Sequence, residues 1–399
     1  MHLPQPWILP SVYEAEKQIL DEHVNHEYAN MAGKCLTACY TGELQLLSVQ
    51  HATQLTTDHC ISGPPSFCTG VPGFADVALK FILGEAKDSR PIAAVQSLSG
   101  TGALRLAGHF LHEYSPGKTL YLPTPTWGNH NKIFAQSSVP VNSYKYYDPE
   151  TIGLDFDGMK HDIKQAPGGS VILLHACAHN PTGIDPSPEQ WKELSDLIKD
   201  KEHLVLFDSA YQGFASGDAE ADAFAVRLFL EEGHSMIIAQ SFSKNFGLYG
   251  ERVGALSVTA QSEDEADRIT SQLKAAARAM YSNPPIHGAH IVKRILTDAK
   301  LESQWRQDCA HMAQRIQDMR TALVNSLEAA GSSLDWSHVT AQIGMFCYSG
   351  MSEAEVQRLG DEHHVYLTSN GRISMAGVTP DNVTYLAQAI HEVTTTLRK

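Results

Sequence analysis

The sequence predicts an α/β protein with a mostly parallel central sheet in a large domain and a smaller α/β domain at the C-terminus. From Gly73 onward, short apolar runs alternate with helical segments, a pattern typical of a parallel sheet with helices on both faces. Several of these runs end in polar residues, at the sheet edge where open α/β folds bind their ligands. The chain has 399 residues, 43% of them hydrophobic, which is enough for more than one domain.

The charge and the cysteine content exclude several classes of protein. A net charge of −15 argues against binding to a nucleic-acid backbone, and no apolar stretch approaches membrane-spanning length. The N-terminus has neither a secretory signal nor an Arg-rich transit segment. Seven scattered cysteines argue against a disulfide framework. We therefore expect a soluble protein of the cytoplasm, or of the mitochondrion if a targeting peptide is missing from this chain.

The first 66 residues divide into a helical segment and an irregular one. Apolar residues at helical spacing predict an amphipathic helix over 13–23. Residues 29–66 show no clear helical or strand period, so we interpret them as an irregular insertion or an artefact of the gene model. A zinc site is the weaker alternative, because the spacing of the cysteines and histidines fits no zinc pattern. These cysteines and histidines are Cys35, Cys39, His51, His59, Cys60 and Cys68.

Apolar runs in the middle of the chain predict the strands of the sheet. They cover 91–95, 119–122, 139–146, 170–175, 203–211 and 235–239. A helix is predicted over 103–114, because apolar residues recur there at helical spacing. Another helix starts after Ser187, where Pro188 and Gln190 complete the signals of a capping box.

The last part of the chain predicts a linking helical stretch and the smaller domain. Residues 287–331 are mostly helical in pattern and contain no proline. Beyond them we predict a strand at 343–348, a helix over 352–362, short strands at 365–367 and 372–375, and a last helix over 380–397. The predicted organisation is an N-terminal segment over 1–28, the insertion over 29–66, a large domain over 67–300 and a small domain over 301–399.

A lysine that follows the strand at 235–239 is the strongest candidate for chemistry. Residues 240–255 read QSFSKNFGLYGERVGA, which places Lys244 among small hydroxyl residues and aromatics, with Arg252 further on. Burial and a nearby cation lower the pKa of a lysine amine and make it a nucleophile. Taken alone, an exposed loop lysine is the more common situation. The S-x-x-K pattern of penicillin-binding proteins also fits at Ser241, but their K-T-G and S-D-N partners are missing from the sequence.

Other strand ends and turns carry groups suited to a ligand that is both anionic and aromatic. The turn 97–102 reads SLSGTG before a helix, whose free N–H groups can hold a phosphate, although an ordinary capped helix fits equally well. Trp127 in a proline-rich loop offers a face for stacking, although core filling is the simpler role. Asp208 ends a strand, where an ionised acid can pair with a ring nitrogen, although turn-forming aspartates are common there.

Together these motifs resemble those of the aspartate aminotransferases, class I pyridoxal-phosphate enzymes of fold type I. The resemblance runs in register from about residue 67 to the C-terminus. It rests on SLSGTG at 97–102, TWGNH at 126–130, NPTG at 180–183, the lysine motif at 240–255 and SNGRIS at 369–374. The resemblance implies pyridoxal 5′-phosphate as the cofactor and Lys244 as the Schiff-base lysine. It also implies a homodimer whose active sites are shared between subunits.

The resemblance implies a role for each candidate residue at the cofactor. Lys244, Asp208 and Tyr211 are the catalytic residues, with Asp208 at the pyridine nitrogen and Tyr211 at the phenolic oxygen. Asn180 also donates to the phenolic oxygen, and Trp127 stacks on the ring. The phosphate ligands are Ser99, Gly100, Thr101, Ser241, Arg252 and, from the neighbouring subunit, Tyr28. Behind the residues that touch the cofactor lie His130 and His175.

The same resemblance implies the substrates. Arg372 binds the α-carboxylate and Arg278 of the other subunit binds the distal carboxylate, next to Trp127 and Asn180. A planar guanidinium suits two-pronged binding of a carboxylate. We therefore expect dicarboxylic amino acids and 2-oxo acids as substrates, with ping-pong amino transfer between L-aspartate and 2-oxoglutarate. No metal, nucleic acid or membrane partner is expected.

Alternatives to this function remain open. In the family a segment that covers the substrate precedes the point where this chain begins, and the loop after the phosphate-binding tyrosine lacks an insertion like 29–66. A catalytically impaired pyridoxal-phosphate protein of the same fold is therefore the main alternative. A nucleophilic-serine hydrolase at Ser241 is the second. A lyase or decarboxylase on the same scaffold is disfavoured by the paired arginines Arg278 and Arg372.

Overall fold

The structure is a computed structural model that describes residues 8–21 and 70–397. The first helix, α1, covers Pro10–Asp21, close to the predicted 13–23. Its apolar face is buried, with Val12, Ala15 and Ile19 in a core cluster that they share with later helices. The predicted insertion at 29–66 and its cysteines and histidines lie outside the described residues.

The central element is a seven-stranded sheet with the strand order β1-β9-β8-β7-β6-β2-β3. Its strands are β1 (Ile92–Leu98), β2 (Leu120–Thr124), β3 (Val141–Lys145), β6 (Val171–His175), β7 (Leu204–Ser209), β8 (Met236–Ser241) and β9 (Val253–Thr259). A small ribbon beside it pairs β4 (Tyr147–Asp148) with β5 (Gly153–Leu154). Strand β9 runs antiparallel to both β1 and β8, while the other neighbours are parallel. The predicted mostly parallel sheet is therefore confirmed.

The strands are apolar on both faces because helices cover both faces. All residues of β6 and β8 are buried. Successive residues of β8 point to opposite sides, so Ile237 belongs to one core cluster and Ile238 to another. A continuous apolar run, rather than strict alternation, is the pattern that such doubly covered strands require.

Helices follow the strands through the large domain. They are α2 (Phe74–Leu83), α3 (Ser99–Tyr114), α4 (Asn129–Gln136), α5 (Phe156–Gln165), α6 (Pro188–Asp200), α7 (Ala219–Asp222), α8 (Phe224–Glu231) and α9 (Glu263–Tyr281). The capping box predicted at Ser187 is confirmed, since its hydroxyl accepts from the Gln190 N–H and the Gln190 side chain accepts from the Ser187 N–H. Helix α3 begins at Ser99 rather than at the predicted Ala103, so the SLSGTG turn forms the first turn of the helix.

The helical stretch predicted over 287–331 is two helices, α10 (His287–Thr297) and α11 (Ala299–Ala329). The break falls at Asp298, whose carboxylate accepts hydrogen bonds from the first N–H groups of α11. An aspartate that caps one helix interrupts the preceding one, because its own backbone is extended. Helix α11 is 31 residues long and carries the chain towards the C-terminal elements.

The C-terminal elements form a separate layer beyond the sheet. They are α12 (Ser337–Ala341), β10 (Phe346–Tyr348), α13 (Glu353–His363), β11 (Arg372–Ser374) and α14 (Val383–Leu397). Strands β10 and β11 pair antiparallel. The strand predicted at 365–367 is wrong: this segment is not in a sheet, and Tyr366 is 80% exposed. Because residues 365–367 are not paired in a sheet, their apolar side chains do not lie on a buried sheet face.

Within residues 8–21 and 70–397, no helix is both long enough and apolar enough to cross a bilayer.

The parallel strands end at one edge of the sheet, where the predicted site residues collect. In the register of β6 and β7, His175 lies opposite Asp208. In the register of β7 and β8, Ser209 lies opposite Gln240, one residue before Ser241. The sheet thus brings the ends of three strands, and the loop that carries Lys244, to the same place.

Candidate active site

A cavity of about 260 Å³ lies at this edge of the sheet. Most of the residues predicted for the site line it. They are Ser99, Gly100, Thr101, Trp127, His175, Asn180, Asp208, Tyr211, Ser241, Lys244 and Arg252. The remaining lining residues, which the sequence did not single out, are Leu104, Ala210, Ser243 and Tyr249. Residues spread over more than 150 positions of the chain are thereby brought into one concave site.

Lys244 lies in the loop after β8 with its side chain directed at the face of Tyr211. The lysine Nζ is 4.8 Å from the centroid of the Tyr211 ring. Burial lowers the pKa of the Lys244 amine, and the charge of Arg252 lowers it further, while Asp208 acts in the opposite direction. A lysine with a lowered pKa is more readily deprotonated, as a nucleophile or a general base must be.

Asp208 is held by a histidine from the helix that follows β2. The Oδ2 atom of Asp208 lies 3.0 Å from Nε2 of His130, which is fully buried. Burial raises the pKa of Asp208, but the hydrogen bond and charge of His130 and the nearby Lys244 outweigh it, so the pKa lies below its ordinary value. The carboxylate therefore stays ionised at the end of its strand.

His175 reaches Asp208 through other side chains rather than by a direct hydrogen bond. Its Nε2 lies 3.3 Å from Oγ1 of Thr126, which lies 2.8 Å from Nδ1 of His130. Its Nδ1 accepts the N–H of Asn180 at 3.2 Å, and therefore carries no proton. Burial first, and then the neighbouring histidines, hold the pKa of His175 well below its usual value. The sequence patterns did not identify Thr126, whose hydroxyl links the two histidines.

The turn at the start of α3 forms a cradle suited to an anion. The Ser99 hydroxyl lies 2.9 Å from the hydroxyl of Ser241 and 2.7 Å from that of Ser243. Ser99 has a φ of 59°, and its N–H donates to the carbonyl of Arg252 at 3.1 Å. Hydroxyls, a guanidinium and the N-terminus of a 16-residue helix converge here, a combination that favours phosphate.

Only glycine allows β9 to pass this close to the cradle. A Cβ atom on Gly254 would lie 2.5 Å from the carbonyl carbon of Ser99. The strand therefore approaches the turn directly, and Arg252 is the residue just before it.

The signal for Ser243 was present in the lysine motif, as a small hydroxyl residue next to Lys244.

The opposite side of the cavity carries a tyrosine hydroxyl without a partner. The Oη atom of Tyr211 is buried and has no hydrogen-bond partner among residues 8–21 and 70–397. Burial, with a smaller effect of Asp208, raises the pKa of the phenol, so the hydroxyl keeps its proton. A buried donor of this kind is costly unless a ligand accepts its hydrogen bond.

Arg372 lies on β11, beside the part of the cavity that Asn180 lines. Its Nη1 donates to Oδ1 of Asn180 at 3.0 Å, and its Cζ is 4.1 Å from the centroid of the Phe346 ring. Burial lowers the pKa of Arg372, and Tyr211 has a small opposing effect. The guanidinium is half-buried.

Among the described residues that were predicted for the site, three do not line this cavity: His130 and Arg372, which each bond a residue that does, and Arg278. Arg278 is exposed on α9 and does not line the cavity of its own chain. Tyr28 lies outside the described residues. Both were predicted to act from a neighbouring subunit, and one chain by itself does not test that prediction.

The groups that line the cavity fit pyridoxal phosphate. The hydroxyl cradle and Arg252 suit its phosphate, and the ionised Asp208 suits its pyridine nitrogen. The unpartnered Tyr211 hydroxyl and Asn180 suit its phenolic oxygen, and Trp127 offers a ring face. Lys244 lines the same cavity, and its amine is the group that would bond the cofactor's aldehyde carbon.

Known proteins are similar to this chain over nearly its whole length. The mitochondrial aspartate aminotransferase of Dictyostelium discoideum is 49% identical over 394 residues, 98% of this chain and 84% of the relative. The structure of the cytoplasmic aspartate aminotransferase of Saccharomyces cerevisiae matches with a TM-score of 0.86 and 40% identity, over 98% of this chain and 89% of that one.

A third match carries the cofactor. The aromatic-amino-acid aminotransferase of Burkholderia pseudomallei, solved covalently bound to pyridoxal phosphate, matches with a TM-score of 0.83 and 36% identity, over 97% of this chain and 88% of that one. The family model described as aminotransferase class I and II matches residues 67–390. On this evidence, the chain belongs to the class I and II aminotransferases, as its motifs predicted.

Proposed function

We propose that this chain is an aspartate aminotransferase that uses pyridoxal 5′-phosphate. It transfers an amino group between L-aspartate and 2-oxoglutarate, giving oxaloacetate and L-glutamate. One observation carries the proposal: a partly buried lysine amine of lowered pKa lies 4.8 Å from the Tyr211 ring, in the cavity lined by Asp208 and the phosphate cradle. The names of the Dictyostelium and yeast relatives support the choice of substrates.

Most of the lining residues have a part in binding the cofactor. Ser99, Gly100, Thr101, Ser241 and Arg252 hold the phosphate. When bound, the cofactor supplies a protonated ring that withdraws electrons from the substrate's α-carbon. Asp208 keeps the proton on the ring nitrogen, because its own pKa is low and His130 holds it in place.

Lys244 moves the proton in the reaction. As a general base its Nζ would remove the proton from the substrate's α-carbon, and as a general acid it would deliver a proton to the cofactor's aldehyde carbon. The lowered pKa suits both steps, since an ordinary lysine is almost fully protonated at neutral pH. Tyr211 and Asn180 donate to the phenolic oxygen, and Trp127 limits the tilt of the ring by stacking.

Arg372 selects the substrate by binding its α-carboxylate. Asn180 already holds one arm of the guanidinium, which leaves the other arm for a carboxylate oxygen. Fixing the carboxylate sets the Cα–H bond perpendicular to the plane of the cofactor ring. That alignment determines which bond to the α-carbon breaks. Distal carboxylate binding is assigned to Arg278 of the partner subunit, and a further phosphate contact to Tyr28 of the partner subunit. The enzyme is therefore a homodimer in this proposal.

The domain boundaries and the compartment belong to the same proposal. The large domain covers 67–300 and the small domain 301–399, with Lys244 in the first and Arg372 in the second. The mitochondrial name of the Dictyostelium relative favours the mitochondrion over the cytoplasm, which the sequence had favoured as written. Fractionation of cells that express the full gene distinguishes the two compartments.

A spectroscopic titration followed by a turnover assay tests the proposed function. Purified protein is mixed with pyridoxal phosphate, the visible absorbance is recorded, and L-aspartate is added before 2-oxoglutarate. We expect a bound chromophore, a shift with aspartate and continuous oxaloacetate formation. L-alanine, which lacks the second carboxylate, serves as the control and is expected to react far more slowly. A colourless protein rules out the cofactor assignment. A coloured protein that converts neither L-aspartate nor 2-oxoglutarate rules out the transaminase assignment.

A further inference from the structure

A fully buried guanidinium lies outside the cavity, on the long helix α11. Arg320 has 0% exposure, and its three hydrogen bonds end on backbone carbonyl oxygens rather than on a carboxylate. Its Nε atom is buried without a partner among the described residues. Burying a cation is costly when no opposite charge compensates it. Packing alone would favour a leucine or methionine at this position.

The three carbonyls belong to one short segment that runs from within α12 to the first residue of β10. Nη1 of Arg320 donates to Val339 at 2.8 Å, and Nη2 donates to Gly344 at 2.9 Å and to Phe346 at 2.6 Å. A planar guanidinium can bond several carbonyls in fixed directions, which a lysine or an apolar residue cannot do. The segment 339–346 is therefore fixed at both of its ends by one side chain.

This segment contacts Arg372 through the ring of Phe346. The ring of Phe346 lies against the guanidinium of Arg372, with 4.1 Å from its centroid to Cζ. Stacking of this kind restrains the plane of the guanidinium as well as attracting its charge. Arg320 bonds Phe346 through its backbone carbonyl. A shift of that carbonyl therefore moves the ring against which Arg372 lies.

The same segment contacts the loop that carries Asn180. The N–H of Ile343 donates to the Gly183 carbonyl at 2.8 Å. A Cβ atom on Gly344 would lie 2.7 Å from Cβ of Ala178, so the two backbones are in close contact. Since Asn180 accepts a hydrogen bond from Arg372, both neighbours of the Arg372 guanidinium, Asn180 and Phe346, are braced by the segment that Arg320 holds.

We propose that Arg320 is a positioning residue for substrate binding, acting through the carbonyls of segment 339–346 on Phe346 and thus on the plane of Arg372. The inference rests on the proposed function, in which Arg372 binds the substrate α-carboxylate. It assigns to a buried cation that never touches the substrate a part in the affinity for amino and oxo acids. A merely structural role would change stability and leave that affinity unchanged.

The first test replaces Arg320 by lysine in the holoenzyme. Arg320→Lys keeps the charge but loses the fork, so we expect the KM for L-aspartate and for 2-oxoglutarate to rise about three- to tenfold, as for coupled neighbours. The visible spectrum of the bound cofactor is expected to stay unchanged, because the Lys244 side of the cavity is not involved. Arg315→Lys is the matched control, since Arg315 lies on the same helix and donates to the backbone carbonyl of Val378 at 2.9 Å. It is expected to leave both KM values unchanged.

The second test is a double-mutant cycle with Phe346→Leu. This variant leaves the buried cation in place and removes the ring under Arg372, so it tests the last contact even if Arg320→Lys fails to fold. We expect Phe346→Leu to raise KM, and Arg320→Lys to add little in that background. An unchanged KM in Phe346→Leu, or independent effects that multiply in the double variant, overturns the inference. If Arg372→Lys leaves KM unchanged, it is instead the assignment of Arg372 in the proposed function that fails.

Discussion

The two sides of the candidate site are built in different ways. On the cofactor side, Asp208 lies in a strand that is paired on both sides, opposite His175 of β6 and Ala239 of β8. On the carboxylate side, Arg372 begins a strand of three residues with a single partner, β10. The chemical groups thus lie on the rigid core of a sheet, while the selecting arginine depends on side chains that brace a short ribbon.

Electrostatics separates the two sides in the same way. Lys244 has its pKa lowered mainly by burial, and the pKa of Asp208 stays low because His130, His175 and Lys244 together outweigh burial. Arg372 is half-buried, with an amide and an aromatic ring as its neighbours. We infer that changes on the cofactor side affect kcat most, and that changes on the carboxylate side affect KM most.

The largest effect is expected from Lys244→Ala. The variant loses the group that moves the proton, so turnover should fall by at least about 10⁴-fold, the upper contribution of general acid–base catalysis. The visible absorbance that depends on the lysine should also disappear. Lys199→Ala is the matched control, because Lys199 is an exposed lysine that bonds the carbonyl of Glu232, the residue after α8. Retained turnover in Lys244→Ala would refute the assignment.

The second effect is expected from Asp208→Asn. A neutral amide cannot keep the ring nitrogen protonated, so kcat should fall by about 10²- to 10³-fold, as for the loss of one preorganised electrostatic group. Single-turnover absorbance changes with aspartate measure this step directly. Asp308→Asn is the control, since Asp308 is also a buried carboxylate but accepts hydrogen bonds from Ser11 and Gln304 and does not line the cavity. Equal kcat losses in the two variants would contradict the comparison.

A smaller effect, on KM rather than kcat, is expected from Arg372→Lys. Lysine keeps the charge but loses the two-pronged geometry, a difference of about 1.5–3 kcal/mol for a charged hydrogen bond. The KM for aspartate should rise about 10- to 100-fold. Steady-state kinetics with both substrates measures it, and Arg90→Lys, at a guanidinium that bonds the carbonyls of His234 and Ala260, is the control. A fall in kcat at unchanged KM would blur the distinction between the two sides.

The smallest effect concerns Asp222, whose carboxylate holds the loop after Tyr211. It accepts the N–H groups of Gly213 at 2.8 Å and Ala215 at 3.2 Å, and burial raises its pKa from 3.8 to about 6. A raised pKa means that the folded state binds the proton more tightly, so this contribution to stability is complete below pH 3.8 and is lost as the pH rises to about 6.

Asp222→Asn removes that pH dependence. Relative to wild type, the melting temperature of the variant should increase by roughly 2–4 °C between pH 4 and pH 6 and stay level above it. Thermal unfolding of both proteins across this range measures the difference. A difference that stays constant or falls with rising pH would show that Asp222 does not titrate in this window.

Much of the cofactor side could be predicted from local sequence. Lys244, Asp208 and the SLSGTG turn each follow an apolar run, and parallel strands deliver their ends to one edge of a sheet. The route from His175 to Asp208 could not be predicted in the same way. It passes through Thr126 and His130, whose contact depends on how the loop after β2 folds back over the sheet.

The carboxylate side was harder to predict. The strand expected at 365–367 is absent from the sheet, because alternating apolar residues form a strand only where a partner and a buried face are available. Arg320 carried no signal at all, since an arginine in a helix is usually exposed. Its role follows only from the segment 339–346 that packs on it.

The sequence by itself determined the α/β class, the strands and the chemical groups at their ends, because apolar periodicity and turn residues act over a few neighbouring positions. It also determined the family, through motifs whose spacing is preserved along the chain. Only the tertiary structure decided which groups share a hydrogen bond and that Lys244 is partly removed from water. It also decided that the buried Arg320 holds the segment that contacts Arg372. Those properties depend on distances between residues far apart in the chain, and such distances are fixed by packing rather than by local preference.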